Sequence, residues 1–115
     1  MFDRGFVTYS NEAKMEMLGV SAQLIEQHGA VSEPVAKAMV EGALQHSNAN
    51  LAVSVTGIAG PSGGSKSKPV GTIYIAVQHA GHEAHIIHFQ FDGSRDFVRQ
   101  QFMLAALEAL YVAAA

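Results

Sequence analysis

A chain of 115 residues is one domain in size, and 49% hydrophobic against 15% charged residues supplies enough apolar surface for a packed core, which excludes a disordered chain. A net charge of −3 with no Lys/Arg cluster gives no basic footprint for nucleic acid. The absence of cysteine excludes disulfides, thiol nucleophiles and zinc-thiolate sites, and no apolar run reaches the length of a membrane span or resembles a signal peptide, so the expectation is a soluble cytoplasmic protein with no membrane partner.

In chain order, Gly5 to Ser10 alternates aromatic and β-branched residues as a short strand does. Ser10 then caps a helix over Asn11 to Leu18, which Gly19 stops. A second helix is expected from Ser21 to His28, closed by Gly29. A third opens on Ser32 as N-cap, carries Glu33 and Pro34 in its first turn, and runs to about His46. On it Val35, Met39 and Leu44 share roughly one face with Ala36, Val40 and Ala43. Leu51 to Thr56 reads as a buried strand, and Gly71 to His79 and Ala84 to Phe91 as a hairpin turning through Ala80 to Glu83. A last helix from Ser94 to Val112 carries Phe97, Val98, Phe102, Leu104, Ala105, Leu107 and Leu110 as a broad apolar stripe, and the tail beyond it is expected to fray. The order β-α-α-α-β-β-β-α predicts a single α/β domain with helices over a mixed sheet of about four strands.

Thr56-Gly57-Ile58-Ala59-Gly60-Pro61-Ser62-Gly63-Gly64-Ser65 follows the buried strand directly. A glycine-rich loop leaving a strand end offers rows of backbone N–H groups to a phosphate or carboxylate. The glycine spacing fits neither common nucleotide fingerprint, and Lys66 and Lys68 come too late for a P-loop. Thr56 is either a turn former or the first group of a binding loop.

Lys14 stands four residues after Ser10, so both side chains can point the same way from the first turn of a helix that leaves a strand. A lysine desolvated there loses its proton near neutral pH and can serve as base to a hydroxyl nucleophile; the alternative is a solvated lysine paired with Glu12 or Glu16. Ser10 is a helix cap in one reading and a nucleophile in the other. Arg95 and Arg99, one turn apart at the start of the last helix, suit a phosphate or else pair with Asp92, Asp96 or Glu108. His79, His82, His85 and His88 form an arithmetic series, but His85 and His88 fall on opposite faces of a strand, and no metal site is expected.

Gly5-Phe6-Val7-Thr8-Tyr9-Ser10-Asn11-Glu12-Ala13-Lys14, Leu18-Gly19-Val20, Gly29-Ala30-Val31-Ser32, the Thr56 loop and Lys68-Pro69-Val70-Gly71-Thr72-Ile73-Tyr74 together resemble the CinA C-terminal domain family, in order from Gly5 to about Leu110. The resemblance implies nicotinamide-nucleotide amidase activity, a step of pyridine-nucleotide salvage that needs no cofactor. It maps Tyr9, Ser10, Asn11 and Lys14 onto the family's Tyr-Ser-Asn-x-x-Lys segment, with Lys14 as the base and Tyr9 positioning it. Thr56, Gly57, Ile58, Ala59 and Gly60 become substrate-binding, with Arg95 and Arg99 behind them. Family members also carry an upstream Glu-Ser-Cys-Thr-Gly-Gly segment whose serine is taken as the nucleophile. That segment has no counterpart in this chain, so the alternative reading is a non-catalytic nucleotide-binding or oligomerisation module. Absence of the strand that segment supplies exposes a sheet edge or the faces it covered, both of which favour pairing with another chain, and a homo-oligomer is expected.

Overall fold

The computed structural model describes Gly5, residues 11–58, Gly64 and residues 68–114. The strand expected over Gly5 to Ser10 therefore lies outside the described residues. The rest folds as four helices and three strands: α1 (Asn11–Leu18), α2 (Ala22–His28), α3 (Glu33–Gln45), β1 (Leu51–Gly57), β2 (Thr72–His79), β3 (His85–Gln90) and α4 (Arg95–Ala114). The α/β class is as the sequence implies. The described strands pair antiparallel throughout, in the order β1-β2-β3, with Val55 opposite Ile75 and Ile75 opposite Ile87.

Local chemistry sets the helix ends. Gly19 takes φ 70° and its amide donates to the carbonyl of Met15 at 3.0 Å, an αL close for α1, with the amide of Val20 reaching back to the carbonyl of Lys14 at 3.2 Å. Ser21 caps α2 by accepting from the amide of Leu24 at 3.1 Å. Ser32 caps α3, accepting from the amide of Val35 while its own hydroxyl donates to the carbonyl of Gly29 at 2.8 Å. At the other end α4 continues to Ala114, past the expected stop at Val112.

Strand β2 is central and covered on both faces, which explains an apolar run without alternation. Ile73, Ile75 and Val77 meet Val98, Phe102 and Ala105 of α4 on one face. On the other, Ala76 packs with Ala36 and Val40 of α3. The single apolar face expected for α3 is divided by the structure: Ala36 and Val40 turn to the sheet, whereas Val35 and Met39 turn outward to Leu18, Val20 and Ile25 of the α1–α2 layer. Helix α3 is thus a middle layer with an interface on each side.

The outer interface is close at Gly42, where a Cβ would lie 1.9 Å from the carbonyl oxygen of Leu18. Helix propensity alone predicts that Gly42→Ala gains about 1 kcal/mol. The contact predicts the opposite sign, a loss of about 2 kcal/mol from overpacking against backbone that cannot yield. A thermal melt of Gly42→Ala decides between them, with a fall of roughly 5–15 °C expected.

Candidate active site

Of the residues the sequence singles out, Tyr9, Ser10, Ala59 and Gly60 lie outside the described residues. Asn11 is the first residue of α1 and is exposed. Lys14 is only 8% exposed, and burial lowers its pKa below the ordinary lysine value. This overturns the solvated-lysine alternative. The cause is helical phase: Lys14 precedes Leu18 by four residues, and Leu18 belongs to the core shared with Val35 and Met39, so the same turn that buries Leu18 buries Lys14.

Strand β1 presents Ser54 and Thr56 on its α3-facing side, and both hydroxyls are engaged. Ser54 donates to the carbonyl of Ala36 and Thr56 to the carbonyl of Ala30, each at 2.8 Å. The Thr56 bond ties the start of the glycine loop to the α2–α3 connection. Gly57 ends the strand where a Cβ would meet Ile73 Cδ1 at 2.1 Å and the Thr72 carbonyl oxygen at 3.0 Å, so a larger residue there would have to displace the end of the Ile73 side chain. Ile58 then closes the base of the loop: its amide donates to the Thr72 carbonyl at 2.9 Å, and its carbonyl accepts from the amide of Gly71.

Sequence reasoning set Lys68 aside, yet its ammonium donates to the carbonyl of His28, the last residue of α2. A cation at a helix C-terminus is favoured by the exposed carbonyls and the helix dipole, and the histidine-glycine end of α2 was the available signal. The loop therefore leaves β1 beside Ala30 and returns at Lys68 beside His28, so both its ends are fastened to the same short connection.

Arg95 and Arg99 lie exposed in the first turns of α4, which Ser94 caps. They stand at the sheet end where the loop begins, because Gly57 pairs with Ile73 and Ile73 with Phe89. Their helix covers the opposite face from α3, however, and the structure does not gather the arginines with Lys14 in one cluster. Among the histidines, His88 stacks on Tyr74 at 4.6 Å on the α3-facing side, while His79, His82 and His85 border a cavity of about 490 Å³ under α4.

The sequence profile of the CinA C-terminal domain matches residues 1–113. The chain belongs to the CinA C-terminal domain family. It is 53% identical over 110 residues to the nicotinamide-nucleotide amidohydrolase PncC of Escherichia coli K12, covering 96% of this chain and 67% of that protein. A CinA-like protein of Syntrophobacter fumaroxidans is 50% identical over 96% of this chain, which spans 26% of it. Among solved structures, the competence/damage inducible protein CihA from Agrobacterium tumefaciens superposes with a TM-score of 0.95 at 44% identity, over 98% of this chain and 69% of the other. The competence damage-inducible protein A of Klebsiella pneumoniae superposes at 0.84 with 36% identity, over 90% and 63%. The CinA-domain family thus includes an amidohydrolase that acts on a nicotinamide nucleotide, and the buried lysine belongs to a domain of that family.

The charge state of Lys14 has a consequence for stability. Its folded pKa lies below its unfolded one, so the unfolded state binds more protons and stability rises with pH between the lowered value and 10.5. Below that window the burial penalty is present in full; above it the penalty vanishes. Lys14→Met removes the charge and keeps the volume. Melts across pH should show the variant more stable than the wild type at neutral pH, with the gain shrinking as pH approaches 10.5.

Proposed function

We propose that this domain hydrolyses the carboxamide of nicotinamide mononucleotide, giving nicotinate mononucleotide and ammonia, with Lys14 as the base. The observation that carries the reading is a lysine desolvated on the buried side of α1, in a chain 53% identical to an amidohydrolase of nicotinamide nucleotides. A lysine whose pKa is lowered by burial holds a larger neutral fraction near pH 7, and a neutral amine can accept a proton from a hydroxyl. The deprotonated oxygen then attacks the carboxamide carbon. The lysinium returns its proton to the leaving nitrogen, and ammonia departs; water hydrolyses the acyl intermediate by the same base.

Ser10 is the hydroxyl four residues from Lys14, and the serine of the upstream segment found in family members is the other candidate. Tyr9 and Asn11 flank the base. The loop from Thr56 to Gly60 receives the nucleotide phosphate or the developing oxyanion through backbone N–H groups. The rigid attachment of its two ends, at Ala30 and His28, supports that role: a loop with fixed ends loses less freedom when a ligand orders it. Arg95 and Arg99 act on the phosphate end from the other side of the sheet. No metal or cofactor enters this chemistry. A cytoplasmic setting in pyridine-nucleotide salvage and self-association into a homo-oligomer complete the reading. No helix among the described residues is long and apolar enough to cross a membrane.

Ammonia release from nicotinamide mononucleotide, measured for the purified chain beside Lys14→Ala and Lys14→Arg, tests the proposal. Turnover should fall by about 100-fold or more in both variants, the range of a lost general base. The wild-type rate should rise with pH through an apparent pKa below that of ordinary lysine. A folded wild-type chain without turnover that still binds the nucleotide would favour the non-catalytic module.

A further inference from the structure

Helix α4 is apolar on two opposite sides. Val98, Phe102, Ala105 and Ala109 recur at spacings of four, three and four and pack on the sheet. Phe97, Leu104 and Tyr111 recur every seven residues with Leu107 between them, and these side chains are 47%, 61%, 78% and 62% exposed. Met103 widens the same surface, whereas Val112 belongs to the flank that borders the cavity under α4. Together the five side chains present on the order of 600 Å² to solvent, at the upper end of a typical surface patch and approaching the roughly 800 Å² per partner that a standard interface buries.

We propose that this face is the contact between two copies of the chain, with α4 packed antiparallel on α4 about a two-fold axis at Leu104. The inference rests on the self-association reading above and adds the surface and the register. Three features favour a second copy as occupant. The area approaches that of a dimer. Between Phe97 and Tyr111 the face carries one charged side chain, Glu108, and the antiparallel register sets it against Gln100 of the other copy, so the face can meet itself without like charges in contact. Its pattern is also symmetric: Phe97 and Tyr111 each stand seven residues from Leu104, so an antiparallel pair centred there sets Phe97 of each copy against Tyr111 of the other. Leu104 meets its own counterpart, as an isologous interface requires. In this register Gln100 faces Glu108 of the second copy, an amide against a carboxylate. The apolar surface also continues past Val112 into the cavity under α4, where Ile87 and Phe89 of β3 are left partly uncovered.

The natural absence of cysteine makes the register directly readable. Sedimentation equilibrium of the 115-residue chain at tens of micromolar should give twice the 12.2 kDa chain mass. Leu104→Glu should weaken association by at least about 100-fold and leave a cooperative circular-dichroism melt. Under mild oxidation Leu104→Cys should cross-link to itself, Phe97→Cys mixed with Tyr111→Cys should give a mixed disulfide, and Glu26→Cys on exposed α2 should give neither. A wild-type chain that stays monomeric overturns both self-association and this interface. A dimer that survives Leu104→Glu, or that cross-links through Glu26→Cys and not Leu104→Cys, overturns the interface alone. A Leu104→Glu chain without a cooperative melt passes the decision to the cysteine pairs, whose side chains are solvent-facing and structurally mild.

Discussion

Everything in the helical half of the molecule reaches the sheet through α3. Helices α1 and α2 lean on its outer face through Leu18, Val20 and Ile25, and its inner face rests on Ala76 through Ala36 and Val40. Small side chains on the inner face let the helix approach the strands closely, and Gly42 does the same for α1 on the outer face. Two hydroxyls then fix the layer along the strand direction. Ser54 and Thr56, two residues apart on β1, hold Ala36 inside α3 and Ala30 just before it. Apolar packing is non-directional and would tolerate a slide of the helix along the sheet; a pair of buried hydrogen bonds does not, because a displaced carbonyl would leave a buried donor unsatisfied.

That arrangement decides what the base and the loop can do together. Lys14 is buried on α1, the helix that leans on the outer face of α3, and the glycine loop starts at the end of β1 on the inner side, bound to the α2–α3 connection. The two are joined through a rigid element held at both faces. In the proposed reading of Lys14 as base and the loop as substrate site, a relation set in this way is preorganised: it does not depend on the conformation of either group in solvent. Desolvation of Lys14 accompanies its place on α1, one turn before Leu18 of the outer core.

The element order was legible in the sequence because its punctuation is strong. Ser21 and Ser32 cap the helices they were expected to cap, Gly19 and Gly29 end the helices before them, and the hairpin of β2 and β3 falls where the β-branched runs stop. Distribution between faces was less legible. In α3 and α4 apolar residues occupy more than one side, and periodicity cannot assign each side to a partner that only the tertiary fold supplies. The stripe read from α4 mixed Val98 and Phe102, which pack on the sheet, with Phe97, Leu104 and Leu107, which do not. Lys14 was a comparable case, because α1 is short and weakly amphipathic; the phase set by Leu18 was the one clue to its burial. Lys68 was missed because its partner is a backbone carbonyl, invisible to residue-type matching.

The asymmetry between the two sheet faces follows from the same residues. On the α3 side the contact is made of alanine, valine and hydroxyls and is completed by α1 and α2, so no large apolar surface is left over among the described residues. On the α4 side one long helix covers β1 and β2 but leaves Ile87 of edge strand β3 partly open, and the outer side of that helix is as apolar as its inner side. Solvation disfavours such a face on an isolated chain, and sheet packing cannot explain it, because those side chains do not reach the sheet. Lys14 and the start of the loop lie on the side that is closed. The exposed outer side of α4 lies across the sheet from both, so a second copy seated there as proposed leaves them uncovered.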